Sequence, residues 1–245
     1  MERLEFMRAM QAGRRLFPGV DLRGLRMSGH TLEGLDLSGA RLEGASLIAS
    51  RFLDVVMARA SFENGSVRNA LFRQCDLSGA SFFDTEVTGA DFTGCVMVET
   101  DFTGALNLGA AVLASCNLSG AILAGQVLAD ANFLGAQLSH ADLAGAELVG
   151  AHLRTAKLEG AALDGADLRR ADLRDACFKG ASLAGADLRE VNGERADFRG
   201  ADLTGAKVHR ALLSGADFRG ARLDGVDFAG VGTVGAIFTD ADLDT

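Results

Sequence analysis

Basic charge, cysteine and an apolar N-terminal run are what this sequence is short of. Its 24 Lys and Arg side chains stand against 33 Asp and Glu, a net charge of -9. Nucleic acid and anionic membrane surfaces repel such a chain, so direct binding to either is not expected. Four Cys in 245 residues, without paired metal-ligand spacing, make no disulfide framework and fit thiols held in a reducing compartment. Residues Met1 to Met10 mix acids and bases and lack an apolar core followed by small residues, so they do not read as a secretory signal. These absences place the protein in the cytoplasm. Trp and Tyr are missing and there is one Pro, whereas 31 Gly lift glycine well above its usual ~7%. With 48% hydrophobic and 23% charged residues, the chain has the material for a core and does not resemble a disordered segment.

Grouped chemistry is equally scarce. His30, His140, His152 and His209 lie far apart and form no ligand set. There is no Ser/His/Asp grouping, no His-Glu metal helix and no dinucleotide fingerprint. The Gly-rich Val231-Gly-Thr-Val-Gly235 lacks the Lys-Ser/Thr of a phosphate loop. Enzymatic activity, a cofactor and a metal are therefore not expected.

What is present is a repeat. Ala141-Asp-Leu-Ala-Gly145, Ala166-Asp-Leu-Arg-Arg170 and Ala201-Asp-Leu-Thr-Gly205 belong to a pattern with a large apolar residue at every fifth position. The pattern runs from Leu22 to Phe102 and again from Leu108 to Leu243, with one extra residue near Ala105. Of these 45 centres only Gly193 and Thr233 break the rule, and Ala stands two positions before the centre in 28 of them. A period of five is neither helical nor that of a strand. It fits one side of a square coil in which the centre and the preceding small residue point inward and the other three face water. Four units make a coil of 20 residues, and Gly at the end of a unit eases the corner. Stacked at the strand spacing of ~4.8 Å, the units give about 11 coils and a rod roughly 55 Å long.

These units resemble the A(D/N)Lxx motif of the pentapeptide repeat family over residues 20–245. The resemblance implies an all-β fold, a right-handed quadrilateral parallel β-helix, and implies no catalytic residues. Some members of that family mimic duplex DNA and bind DNA gyrase or topoisomerase IV, protecting the enzyme from quinolones. Those members commonly carry projecting loops and a C-terminal dimerising helix, neither of which is evident in this sequence.

The two ends and a few units depart from the regular pattern. Residues 1–19 read as a capping helix and lead-in, and 20–245 as the coil stack. Residues 2–12 place Leu4, Phe6, Met7 and Met10 so that most share a helical face, and Phe17 and Pro18 then enter the first coil. The last coil has no comparable cap, which leaves fraying of Asp242 to Thr245 or a homodimer through that coil. Asn192-Gly193 is a turn signal that either bulges as a loop or leaves a thinner core. Cys75, Cys95 and Cys116 fall on the inward small position of successive coils, as a column of buried thiols, with Cys177 outward and separate.

Two surfaces emerge as candidates. The side centred on Leu22, Leu42, Phe62, Phe82, Phe102, Leu123 and their successors carries 11 acids and 3 bases, provided the extra residue leaves the order of sides unchanged. Its candidate contact residues are Asp101, Asp142, Asp164, Asp202, Asp224 and Asp242. Elsewhere Asp tends to have an Arg two residues on, as in Asp167/Arg169, whereas Asp101, Asp142 and Asp202 lack one. Stacked carboxylates without cations produce a directional field. The second candidate is a neutral waist, since residues 102–129 carry no charge. Leu113, Leu118, Leu123 and Leu128 hold the register there, against a membrane span, and Asn107, Asn117, Ser119 and Gln126 are read as outward. Val112, Ile122, Val127 and Leu134 form the apolar part of that waist. The reading that follows is a non-catalytic protein-interaction rod. A gyrase-directed DNA mimic and an adaptor or immunity partner of a secreted protein are the alternatives.

Overall fold

The computed structural model describes residues 3–242 as a stack of short parallel pairings with little helix. Each pairing joins a residue to the one 20 positions on, as in Asp21↔Arg41, Arg26↔Ser46 and Asp36↔Val56. The third ladder widens into three short strands, β1 (Thr31–Glu33), β2 (Arg51–Leu53) and β3 (Leu71–Arg73), in register Leu32↔Phe52↔Phe72. Four ladders five residues apart therefore run through the molecule. We call them the first to the fourth side, beginning with the one that contains Asp21.

The alternation inside each unit follows from these ladders. The paired residue faces outward, the next is the buried plug, and the small residue of the following unit closes the corner. Leu143, Leu158, Leu168 and Phe178 are fully buried, as are Ala141, Ala166 and Ala186. Because one coil repeats the last, equal plugs stack. Phe52, Phe72 and Phe92 follow one another at centroid distances of 4.7 Å, and Phe178, Phe198 and Phe218 at 5.1 and 5.0 Å. These distances match the strand spacing of ~4.8 Å, so ring stacking and backbone pairing reinforce one another. The corner requires a left-handed residue, which Gly165 (φ 64°) adopts without strain and Arg170 (φ 60°) adopts at a steric cost.

The N-terminal helix α1 spans Arg3–Gln11 and buries Phe6 completely, its ring 4.8 Å from that of Phe17. Met7 and Met10 pack beside it, but Leu4 is 68% exposed. Three of the four expected residues thus share the covered face, and Leu4 lies off the stripe that Phe6 directs at the coil. Pairing already includes Leu16↔Asp36 and Phe17 is a buried plug, one unit before residue 20. At the other end, Leu243, the last expected plug, lies outside the described residues, as does most of the segment from Asp242 to Thr245.

Asn192-Gly193 does not bulge. Asn192 pairs with both Asp172 and Leu212, and the Gly193 N–H donates to the Leu212 carbonyl at 2.8 Å. A Cβ on Gly193 would sit 2.8 Å from Leu213 Cδ2, so the plug of the next coil occupies the vacated space. The cysteine column forms as expected: Cys75, Cys95 and Cys116 are buried, Cys177 is half-buried, and all four are free thiols. Burial pushes the Cys116 thiol up to about 12 and also raises Cys177. A hydrogen bond with Cys75, and burial after it, raise Cys95.

The extra residue is accommodated within one unit. Asn107 turns left-handed at φ 60° and Leu108–Ala110 make a single 3-10 turn, with Leu108 still buried as a plug. Past it the other ladders continue with a spacing of 21, as in Asp91↔Val112, Val96↔Asn117 and Asp101↔Ile122. The order of sides is preserved. On the second side the ladder is interrupted, pairing through Glu86↔Leu106 and resuming with Val127↔Glu147. It is interrupted again beyond Asp187↔Lys207.

Two outcomes test this packing. Leu158→Ala should destabilise the protein by about 2–5 kcal/mol in chemical denaturation, through lost burial and an unfilled cavity. A loss below about half a kilocalorie would mean that Leu158 is no plug. A thiol reagent should modify Cys177 in the native protein, slowly at pH 7 and faster as pH rises, because its raised pKa leaves little thiolate. Cys75, Cys95 and Cys116 should react only on unfolding, and four native thiols of equal rate would contradict the inward column.

Candidate functional site

The preserved order of sides brings the acidic residues into one file. The first-side ladder reads Asp21, Arg41, Ser61, Ser81, Asp101, Ile122, Asp142, Ala162, Ser182, Asp202, Arg222 and Asp242. Within its units, Glu63, Asp84, Asp101, Asp142, Asp164 and Asp202 follow one another with no Lys or Arg between Arg41 and Arg222. Asp142, Asp164 and Asp242 are exposed, while Asp101, Asp202 and Asp224 are half-buried.

Neutral donors hold several of these carboxylates. Asp101 accepts the Thr103 N–H at 2.8 Å, Asp142 the Ala144 N–H at 3.1 Å, and Asp164 the Ser182 hydroxyl at 2.5 Å. Asp202 departs from the expectation that it lacks a basic partner. The Thr204 hydroxyl and N–H bind it locally, and Arg222, one coil on, donates to it at 2.9 Å while lying 3.9 Å from Asp224. Thr204 first and Arg222 last hold the Asp202 carboxyl below the ordinary range. The spacing rule of two residues missed this pair because the partner arrives from the next coil. The opposite end is also neutralised, with Asp21 joined to Arg23 at 2.7 Å and Arg41 at 3.6 Å. The uncompensated stretch is therefore central, from Glu63 to Asp164.

The remaining sides balance their charge locally. On the second, third and fourth sides, Asp167/Arg169, Asp172/Arg174, Asp187/Arg189, Asp197/Arg199 and Asp217/Arg219 close at 2.5 to 2.6 Å. In each the guanidinium also donates from Nε, which makes a two-point clamp over one plug.

The neutral waist does not form one surface. Ile122 belongs to the first side, Val127 to the second, and Val112 and Leu134 to the third. Ile122, Val127 and Leu134 are exposed and Val112 is half-buried. Gln126, read as outward from its polarity, is 8% exposed because it holds the small inward position two before Leu128. Leu106, which the waist omitted, is 51% exposed beside Val127 on the second side. Its signal was available, since Leu replaces the usual Ala two positions before the centre Leu108.

Among the described residues no group of three or more His, Cys, Asp or Glu is arranged to hold a metal ion, and no helix is long and apolar enough to cross a membrane.

The family model described as pentapeptide repeats matches the chain eight times, over residues 17–52, 36–74, 56–94, 75–106, 107–143, 136–175, 176–215 and 211–244. Among solved structures, the chain is similar to HetL, a pentapeptide repeat protein involved in heterocyst differentiation regulation from the cyanobacterium Nostoc sp. strain PCC 7120. The identity is 31%, covering 94% of this chain and 96% of that one, with a TM-score of 0.47. QnrB1, a plasmid-mediated fluoroquinolone resistance protein, is 20% identical over 88% of this chain and 92% of its own, with a TM-score of 0.44. No curated protein matches the sequence.

The clamped carboxylates generate a pH prediction. Hydrogen bonds from the paired Arg hold Asp167, Asp172, Asp187, Asp197 and Asp217 below their usual range. A depressed folded pKa gives stability that is present above the unfolded value of about 3.9 and is lost as pH falls through the folded one. The urea midpoint should therefore be nearly flat from about pH 8 to 5 and fall below about pH 4. Because the Arg partners are 38% to 51% exposed, each clamp contributes little and less still in high salt. Replacing all five Arg by Ala should shallow the acid-side fall, and an unchanged profile would show that these pairs carry none of it.

Proposed function

The chain belongs to the pentapeptide repeat family, and on that premise we propose that it is a non-catalytic scaffold whose first side docks a basic protein. The proposed frame is a right-handed rod of about 11 coils, roughly 55 Å long, capped by α1 and with its coiled body beginning at the Leu16–Phe17 unit. The observation that carries the reading is the file from Glu63 to Asp164, five acids on one side with no base among them. Carboxylates fixed on a rigid ladder keep their spacing, so a partner with matching Lys or Arg meets little ordering cost. Their field acts mainly on encounter rate and orientation.

Charge density argues against the DNA-mimic alternative. Duplex DNA carries one phosphate charge per ~1.7 Å. The first side offers at most about one carboxylate per coil of ~4.8 Å, and Arg222 offsets Asp202 and Asp224 near one end. A partner that reads a sparse acidic file suits the surface better than an enzyme that grips duplex DNA. An adaptor role toward a secreted protein would use the same surface.

The test is a quadruple variant, Asp101→Asn, Asp142→Asn, Asp164→Asn and Asp202→Asn, which keeps an acceptor oxygen at each local hydrogen bond. Proteins retained by the native rod at low salt should be lost or bind several-fold more slowly with the variant, while its denaturation midpoint stays close to native. Equal retention by both would remove the first side as the docking face. DNA gyrase should supercoil at an unchanged rate in the presence of the native protein. Inhibition abolished in the Asn variant would instead establish the mimic.

A further inference from the structure

The break in the second ladder leaves backbone groups that every regular coil pairs. In the ordinary pattern the outward residue's N–H bonds to the preceding coil, and so does its C=O, as Asp142 N–H does to the Ala121 carbonyl at 2.9 Å and Asp142 C=O to the Leu123 N–H at 2.7 Å. Val127 makes neither bond. Its N–H and C=O, with the carbonyls of Ala105 and Ala129, have no hydrogen-bond partner among the described residues. Gly109 lies close against this edge, where a Cβ would be 3.1 Å from the carbonyl oxygens of Val127 and Ala129. Together with Gly104, Leu106, Asn107, Ala110 and Gln126, these residues line a notch of about 520 Å³, within the usual range of ligand sites.

Gln126 supplies a second, independent observation. Other polar residues at the same small inward position satisfy themselves on the coil beneath. Ser50 donates to the Met27 carbonyl at 2.7 Å, Thr85 to Phe62 at 2.9 Å and Thr100 to Leu77 at 3.0 Å, with Cys75 and Cys116 doing likewise. The Gln126 side chain is 8% exposed, and its amide has no partner among the described residues. An amide with free donors and acceptors lining this notch, beside unpaired main-chain groups, offers a ligand both kinds of hydrogen bond. Ala fills this position in most units, so the fold itself does not need the Gln.

The surroundings select the ligand further. No charged residue occurs from Phe102 to Ala129, and the exposed side chains beside the notch are Leu106 and Val127, at 51% and 57%. We propose that this notch is a docking site for an extended, uncharged peptide segment of a partner protein, which pairs its backbone with Val127 and one peptide group with the Gln126 amide. Addition of an extended segment to an open edge is a general recognition mode in which main-chain bonds give affinity and flanking side chains give selectivity. Lying on the second side, the notch is distinct from the acidic file, and its test does not depend on that reading.

The probe is a phage-displayed library of random octapeptides, selected on immobilised full-length protein. Uncharged, apolar-flanked peptides should be enriched, and a synthesised winner should slow amide hydrogen exchange at Val127. Gln126→Ala, the residue most units carry, and Val127→Lys, at an exposed position, should each weaken that peptide at least tenfold. Asp142→Asn should leave it unchanged. Circular dichroism and the denaturation midpoint establish that the variants fold. The proposal is overturned by a library that yields no binder, by enrichment of charged peptides, or by a winner indifferent to both notch variants. Self-association of the native protein that Val127→Lys abolishes would overturn it in favour of a second copy of this chain.

Discussion

Everything in this molecule depends on the parallel hydrogen bonding between residues 20 apart. Each outward residue donates to the coil before it and the following plug donates to the coil after it, so Asp142 N–H reaches the Ala121 carbonyl while Leu143 N–H reaches that of Ala162. Because the bond network fixes the coil at an integer number of residues, plug must lie on plug. The phenylalanine stacks are a consequence of that registry. A single coil would expose its plugs above and below, which is why such a structure is stable only as a stack.

The same constraint explains which parts were legible in the sequence. Plugs such as Leu158 and small residues such as Ala161 recur at fixed spacing, and the inward or outward sense of each position follows directly. Local partners two residues apart, such as Asp197 and Arg199, were equally readable, since both lie on the same surface of one unit. What failed did so for separate reasons. Gln126 looked like a surface residue by its chemistry, yet its place in the unit buries it. Arg222 was missed as the partner of Asp202 because it follows by a whole coil. Leu4 illustrates the limit of helical periodicity, for a nine-residue helix has few turns with which to fix its buried face.

Charge placement separates the faces without altering the fold. In five units of the second, third and fourth sides, an Arg two residues on clamps the carboxylate and offsets its charge. The central first side has Thr, Ser or a backbone N–H in that role, as at Asp101 and Asp142. These neutral donors orient the carboxylates while leaving their charge in place. Position is thereby fixed by the ladder and field strength by the choice of neighbour, so the two properties can vary independently in a repeat of this kind.

The extra residue between Ala105 and Ala111 shows how the stack resolves a conflict. Carried forward, a register shift of one would turn every later plug out of the core, and burying a single Leu contributes about 1.5–3 kcal/mol. Opening one ladder at one coil instead leaves a few backbone groups unpaired, each costing about 1–3 kcal/mol when fully buried and less where water reaches them. With 27 centres beyond Leu108, the local opening is much the less costly solution. The left-handed Asn107 and the 3-10 turn absorb the surplus length, Leu108 remains a plug, and the remaining three ladders keep pairing. The opening falls at the outer edge of a coil, where solvent limits its cost. A repeat that tolerates such an insertion on one side acquires, at the same place, main-chain donors and acceptors that the neighbouring coil does not pair. The surface where the repeat departs from itself at Asn107 is thus one whose hydrogen bonding the fold does not complete.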